Sequence, residues 1–156
     1  MQKMSTCLWF DDQAEQAANF YTSVFKNSKI TGLSRYGEGA PRPAGMAMTV
    51  TFEINGQEYM ALNGGPEFTF SPAISVVVYC DTQAEIDELW EKLCEGGEEV
   101  QCGWLTDKFG LSWQIVPTAL GGLMQGPASK SENAMKALWQ MKKLDIAQLQ
   151  RAYEQG

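Results

Sequence analysis

The pattern of hydrophobic and polar positions in this chain repeats once, at an offset of 70 residues. In each copy a run of apolar and β-branched residues, at 5–10 and at 75–80, ends at an aspartate. A helical pattern follows each run, and Asp12-x-x-Glu15 and Thr82-x-x-Glu85 have the spacing of capping boxes. The identical pairs are Ser5/Ser75, Asp11/Asp81, Gln13/Gln83, Ala14/Ala84 and Glu15/Glu85. The repeat therefore predicts two copies of a strand-then-helix module.

Further β-type runs follow each helical pattern. The first copy has them at 30–36, 46–54 and 57–62, with an Asn55-Gly56 hairpin signal before the last. The second copy has them at 99–105 and 111–116, around a Phe109-Gly110 turn. We therefore predict two βαββ(β) modules in tandem. Module 1 covers about 4–63, a Gly- and Pro-containing linker covers 64–73, and module 2 covers about 74–117.

The repeat stops after Pro117, and residues 118–156 form a predicted helical tail. Ser129-x-x-Glu132 and Asp145-x-x-Gln148 are capping signatures for two helices. The apolar stripes of these helices consist of Ala134, Leu138 and Met141, and of Ile146, Leu149 and Tyr153. Each stripe must pack on something, which is either the same chain or a second subunit.

The composition narrows the class of protein. The 156 residues carry a net charge of −7 and are 44% apolar, which suits one globular domain. The acidic balance, without any basic cluster, argues against nucleic acid and anionic membranes as partners. No stretch reaches the ~18 apolar residues of a membrane span, and the N-terminus lacks the apolar core of a signal peptide.

The absence of histidine is the strongest chemical restriction. It excludes Ser-His-Asp and Cys-His catalysis and every His-ligated metal site. The four cysteines, Cys7, Cys80, Cys94 and Cys102, form no C-x-x-C pair. Free thiols of this kind favour a reducing, cytoplasmic location over a disulfide framework.

Three segments of the chain resemble the vicinal oxygen chelate superfamily, and specifically its PhnB-like branch, often labelled a 3-demethylubiquinone-9 3-methyltransferase domain. The segments are CLWFDDQAEQAANFYTSVF at 7–25, ALNGGPEFTFSPAISVVVYCD at 61–81 and GGEEVQCGWLTDKFGLSWQIVP at 96–117. The resemblance implies an α+β fold in which two tandem βαβββ modules form a curled mixed sheet around a cavity, here with C-terminal helices added.

Many members of that superfamily hold a divalent metal between the first and last strands of each module. The resemblance matches those positions to Ser5, Met60, Ser75 and Gln114 in this chain, with Asn63 as a nearby polar candidate. Two hydroxyls, a thioether and a carboxamide provide no anionic ligand for such an ion. We therefore predict neither a metal nor another cofactor.

Strand parity extends the list of expected cavity residues. If Ser5 and Ser75 face a ligand, then Cys7, Trp9, Val77 and Tyr79 do so as well, and Glu58 shares the face of Met60. On the last strand, Ser112 and Val116 accompany Gln114, whereas Trp113 and Ile115 face the core. The predicted binding residues are Ser5, Cys7, Trp9, Glu58, Met60, Ser75, Tyr79 and Gln114. An aromatic lining suits a planar small molecule, unless these side chains simply fill the interior.

Three functions remain open at this stage. A metal-free small-molecule-binding protein needs only the pocket. For an enzyme, either methyltransferase-like as the family label suggests or lyase-like, the sequence offers only Cys7, Glu58 and Tyr79 as candidates. Acid–base work by Glu53, Glu58 or Asp107 is possible in principle, but each of these carboxylates also has an ordinary surface explanation. A structural or interaction module would use the tail helices. The exposed strand edges and the tail also lead us to expect a homodimer.

Overall fold

The fold is α+β, as predicted, in a computed structural model that describes residues 2–156. It contains two four-stranded mixed sheets and five helices within those residues. The elements are β1 (Thr6–Phe10), α1 (Ala14–Val24), β2 (Ser28–Arg35), β3 (Ala47–Ile54), β4 (Gln57–Asn63), β5 (Ser75–Cys80), α2 (Gln83–Cys94), β6 (Glu98–Glu99), β7 (Trp104–Thr106), β8 (Ser112–Pro117), α3 (Leu120–Met124), α4 (Ala128–Trp139) and α5 (Ile146–Glu154). Two compact units make up the chain, one ending at Phe70 and the other running from Ser71 to Gly156.

The first unit contains a sheet with strand order β1-β4-β3-β2, in which β1 and β4 are parallel and the other neighbours antiparallel. Helix α1 covers one face because its small residues Ala14, Ala17 and Ala18 allow close packing and are fully buried. Beneath it, Phe52 of β3 stacks on Tyr59 of β4 with ring centroids 5.4 Å apart. Since α1 is the only helix among residues 2–70, no helix of this unit covers the opposite face of the sheet, which we call its open face.

The second unit repeats this arrangement with strand order β5-β8-β7-β6. Helix α2 buries Ile86, Trp90 and Leu93, and Trp113 and Ile115 lie in the core as predicted. The single strand predicted at 99–105 is wrong, because the segment divides into β6 and β7. Cys102 and Gly103 have positive φ angles of 62° and 85°, a conformation that breaks an extended strand.

Two of the four predicted capping boxes are present. Thr82 accepts a hydrogen bond from the backbone N–H of Glu85 at 3.2 Å, and Asp145 accepts one from Gln148 at 3.0 Å. The other two predictions are wrong. Helix α1 has Gln13 at its N-cap position without a side-chain cap, and α4 starts after Pro127, so neither Asp12 nor Ser129 acts as predicted.

The tail helices pack on the second unit, to which they belong. One residue of β8 packs with four buried residues of the tail in a hydrophobic core. This core consists of Val116, Leu138, Met141, Leu144 and Leu149. The backbone N–H groups of Cys102 and Gly103 donate to the carbonyls of Met141 and Lys142, each at 2.8 Å. The predicted tail stripes are therefore covered, at least in their central residues, by the same chain. None of the helices within residues 2–156 has the length and apolarity needed to cross a membrane.

Candidate functional site

The predicted site residues lie on, or next to, the open faces of the two sheets, opposite the faces covered by α1 and α2. The two sheets place them in the same register. Cys7 of β1 is directly opposite Met60 of β4, and Val77 of β5 is directly opposite Gln114 of β8. Since Val77 lies 70 residues after Cys7, Met60 and Gln114 occupy equivalent positions of the repeat.

On the open face of the second sheet, two predicted residues are bonded to each other. The Gln114 carboxamide Nε2 donates to the Ser75 hydroxyl at 3.0 Å. Val77 and Tyr79 on the neighbouring strand leave 38% and 70% of their surface exposed. Sequence analysis missed Trp104 of β7, the neighbour of β8 on the side away from β5. Trp104 pairs with Gln114 and is half-buried. Its hairpin pairing with β8 was the signal that could have found it.

The far end of this face is closed. Val116, predicted to line the cavity, is only 6% exposed and belongs to the core formed with the tail helices. Ser112 is buried as well, with 2% exposure. Both were predicted as lining residues from strand parity, which gives the correct face but does not reveal what covers it. The accessible part of the face is thus Ser75, Val77, Tyr79, Trp104 and Gln114.

The open face of the first sheet is rich in hydroxyl groups. Met60 lies between Cys7 and Thr51. Thr31 donates to Thr51 at 3.0 Å, and the hydroxyls of Ser34 and Thr49 are 2.6 Å apart. Thr31 and Ser34 of β2 were not predicted, because the irregularities at Ile30/Gly32 and Ser34/Arg35 interrupt the alternation of that strand. Thr49 and Thr51 were missed although β3 alternates regularly, and that alternation was the signal that could have found them.

Trp9 is fixed by the segment that follows β4. Its indole N–H donates to the Gly65 carbonyl at 2.9 Å, and its ring meets Phe68 edge-on with centroids 5.0 Å apart. A Cβ atom added to Gly64 would collide with the Trp9 ring, so this close approach requires glycine. These contacts hold the half-buried Trp9 against the segment that follows β4, and its role in ligand binding stays a prediction.

The remaining predicted groups of the first unit have ordinary contacts. Lys3 forms a 2.7 Å ion pair with Glu58, and the hydrogen bond to this carboxylate raises the pKa of Lys3. Ser5 lies just before β1 and is exposed. Cys7 is also exposed, and partial desolvation raises the pKa of its thiol, which lowers its thiolate fraction and its nucleophilicity at neutral pH.

Asn63 and Asp107, both considered as candidates in the sequence, are buried and have structural contacts, so the interpretation of Asp107 as an ordinary surface carboxylate is wrong. Asn63 is 1% exposed and on the helix-facing side of β4; its Oδ1 accepts from Ala14 N–H at 2.8 Å, and its Nδ2 donates to the Ala47 carbonyl at 2.9 Å. Asp107 is 2% exposed and accepts from the indole N–H of Trp113 at 2.8 Å and from two backbone N–H groups. Asn63 therefore caps α1, and Asp107 organises the β7–β8 turn.

The residues at the superfamily's metal positions do not fit a divalent ion. Ser75 and Gln114 are neutral and bonded to each other, and Met60 offers a thioether. Glu58, the carboxylate two residues before Met60 on the same strand face, forms an ion pair with Lys3. Within residues 2–156, no group of three or more His, Cys, Asp or Glu side chains is placed to hold a metal. This donor set lacks the charge that such ions need.

The sheet order and the repeated module define the class of protein, the vicinal oxygen chelate fold. Residues 2–116 match the family described as 3-demethylubiquinone-9 3-methyltransferase, so the chain belongs to this family, the PhnB-like branch of the superfamily. A search of curated proteins found no match.

Solved structures support this assignment. A PhnB protein from Bacillus cereus, which carries the same methyltransferase label, is 41% identical, with 75% of this chain covering 100% of that one at a TM-score of 0.70. A protein from Pseudomonas aeruginosa is 20% identical, with coverage of 75% and 98% and a TM-score of 0.63. The fosfomycin resistance protein FosX from Listeria monocytogenes is 14% identical, with coverage of 80% and 98% and a TM-score of 0.60. The last two share the fold.

Proposed function

We propose that this protein binds a small, neutral, planar organic molecule on its open sheet faces without a metal ion. The observation that carries the proposal is the surface of the second sheet, where the exposed Tyr79 ring lies on the same face as the Ser75–Gln114 pair. An aromatic surface with a few fixed neutral polar groups binds flat ligands by stacking and orients them by hydrogen bonds. On the first sheet, Ser5, Cys7, Trp9, Glu58 and Met60 are the corresponding candidates.

Gln114 supplies the selectivity in this proposal. Because its Nε2 is bonded to Ser75, its carboxamide is held in one orientation and leaves its oxygen available as an acceptor. A ligand with a hydroxyl or N–H group could donate to that oxygen while its ring lies on Tyr79. The proposed class is therefore a flat aromatic or quinone-like molecule that carries a hydrogen-bond donor.

The test is a thermal-shift screen of flat neutral compounds, with and without a hydroxyl group, followed by titration of the best ligand. Binding should raise the melting temperature and should be unchanged by a chelator. Tyr79→Ala and Gln114→Leu should each weaken binding about tenfold, the loss expected for one stacking contact or one hydrogen bond of about 1.4 kcal/mol. Leu33→Ala is the control. Leu33 is also a partly exposed apolar residue (48%), but it pairs with the core residue Val50 and therefore lies on the helix-facing side of its sheet rather than on an open face. Binding that needs added metal, or that survives both site variants, would contradict the proposal.

Methyl transfer is a second candidate, favoured by the family label alone. It predicts that a hydroxyl of a catechol-type quinol takes the methyl group of S-adenosylmethionine, which gives a methyl ether detectable by mass spectrometry, S-adenosylhomocysteine and a released proton. Among the described residues 2–156, no strand is followed by a glycine-rich turn and a helix of the kind that cradles such a cofactor, so we expect no product. A methylated product formed at a rate proportional to protein concentration would replace the binding proposal with this one.

The setting of this function is part of the same proposal. We expect a cytoplasmic homodimer without nucleic-acid or membrane partners. Its four cysteines are free, which suits a reducing compartment. Sedimentation of the full chain at micromolar concentration tests the dimer, and fractionation of native cells tests the location.

A further inference from the structure

Helix α4 carries a second stripe of residues that is only partly used by its own fold: Met135 packs on the edge of the tail core and Ser131 donates to the Leu123 carbonyl, but the rest of the stripe is exposed. Ala134 and Leu138 face inward and are 1% and 7% exposed. The other stripe lines a groove of about 350 Å³ together with the end of α3. The residues lining this groove, which we call the tail groove, are Met124, Gly126, Ala128, Ser131, Glu132, Met135, Lys136 and Trp139.

The tail groove exposes large apolar side chains. Trp139 and Met124 leave 58% and 48% of their surface accessible. The α4 members of the groove follow helical spacing from Ala128 to Trp139, so they form one continuous strip along the helix. A contiguous apolar strip with polar residues among it is typical of an interaction surface.

The groove is also an addition to the family's common fold. The family model ends at residue 116, and every groove residue lies beyond it. In the Bacillus cereus protein, 75% of this chain already covers the whole length. A surface that lies outside the common part of the fold is not needed to build the two sheets.

The charged side chains and the side-chain sizes along the groove are complementary to those of the same groove in a second copy of the chain. Glu132 and Lys136 are one helical turn apart, and neither takes part in the ion pairs found within residues 2–156. When two copies of α4 pack antiparallel about a twofold axis near the helix midpoint, Glu132 of each copy lies opposite Lys136 of the other. The same packing places the bulky Trp139 of each copy against the small Ala128 of the other.

From this self-complementarity we propose that the tail groove is the interface with a second copy of this chain. The inference rests on the proposed homodimer and assigns its contact surface to α3 and α4. Such an isologous contact meets the requirement of twofold symmetry, that one patch contacts itself. A single pair of 12-residue helices buries a surface at or below the small end of the stable range. The dimer is accordingly concentration-dependent, with a dissociation constant in the micromolar range.

Charge reversal tests the inference in the full-length protein. Glu132→Lys gives each copy two positive charges at the contact, and Lys136→Glu gives each copy two negative charges. Each variant alone should weaken self-association by roughly tenfold or more in sedimentation velocity, because both symmetry-related pairs become repulsive together. An equimolar mixture of the two variants should associate again, since every facing pair is then of opposite charge.

The controls carry the same charge changes outside the groove. Lys142→Glu and Glu154→Lys lie at exposed positions and should leave association unchanged. Recovery in the mixture cannot come from a misfolded variant, so it supports the interface directly. A wild-type chain that stays monomeric at 100 μM or so overturns both the dimer and its interface, and leaves the groove to a different protein. A dimer that persists equally in both single variants overturns the interface alone.

Discussion

The two sheets have the same strand order and the same register, but a different segment of the chain follows each of them. After β4 it turns at Gly64 and Gly65 and runs over Trp9, which donates to the Gly65 carbonyl. After β8 it enters the tail, whose helices cover Val116. Tyr79, 70 residues after Trp9, remains 70% exposed. Equivalent positions of a repeat thus acquire different roles from the segment that follows the module.

The buried polar groups differ in the same way. In the first unit, Asn63 at the end of β4 caps α1 from outside the helix. In the second, α2 is capped by its own Thr82, and Asp107, which is buried together with Ser112, accepts hydrogen bonds in the β7–β8 turn. A buried polar side chain thus fixes the start of α1 in the first module and the β7–β8 turn in the second. The following predictions test how far this difference extends.

The largest effect is expected from Asp107→Ala. This change leaves the indole N–H of Trp113 and the backbone N–H groups of Phe109 and Leu111 without the acceptor they share. The free energy of unfolding should fall by about 3–5 kcal/mol, measured by urea denaturation. Asp107→Asn keeps one acceptor oxygen and should lose about half as much. Equal losses in the two variants would show that the turn does not depend on these hydrogen bonds.

Asn63→Ala should have the next largest effect, because it removes the cap of α1 and the donor to the Ala47 carbonyl. We expect a loss of about 2–3 kcal/mol in the free energy of unfolding. Asn63→Asp retains an acceptor for Ala14 but faces the Ala47 carbonyl without a donor, and is the matched control. If Asn63→Ala lowered the free energy of unfolding no more than Thr82→Ala does, this would contradict the idea that the first module depends more on the cap of α1 by Asn63 than the second module depends on the cap of α2 by Thr82.

The contrast between Asn63 and Thr82 also explains how far the sequence could be interpreted. The repeat and its alternation predicted the fold class and the helix-facing residues. Local spacing predicted the caps by Thr82 and Asp145, whose bonding partners lie three residues further along the chain. Asn63 as a cap could not be predicted, since its partner Ala14 is 49 residues away. The same holds for Val116, whose face was predicted correctly but whose covering by Leu138 and Leu149 depends on tertiary packing. Whether the remaining candidate residues bind a ligand is still a prediction.

Trp9→Ala and Tyr79→Ala compare the two equivalent aromatic positions directly. Trp9→Ala removes the contacts with Gly65 and Phe68 and should reduce the free energy of unfolding by about 1–3 kcal/mol. Tyr79→Ala should change it by less than about 0.5 kcal/mol, because the ring is exposed. Ligand binding should respond in the opposite order. Equal stability losses with unchanged binding would mean that both rings contribute to packing and that neither binds the ligand.

The smallest effect concerns pH and the cysteines of β1 and β5. Burial, with the nearby carboxylates of Glu85 and Asp81, raises the pKa of the Cys80 thiol to about 11. Because the folded state holds this proton more tightly than the unfolded state, the stability it contributes is complete below about pH 9 and is lost as the pH rises towards 11. Between pH 8 and 10 the wild-type protein should lose about 1 kcal/mol more than Cys80→Ala, measured as the difference between their urea-denaturation curves. Cys7→Ala, at an exposed position, should follow the wild-type pH dependence closely. A Cys80→Ala variant with the same alkaline slope as the wild type would show that this thiol keeps an ordinary pKa in the folded protein, and that the two modules do not differ in this respect.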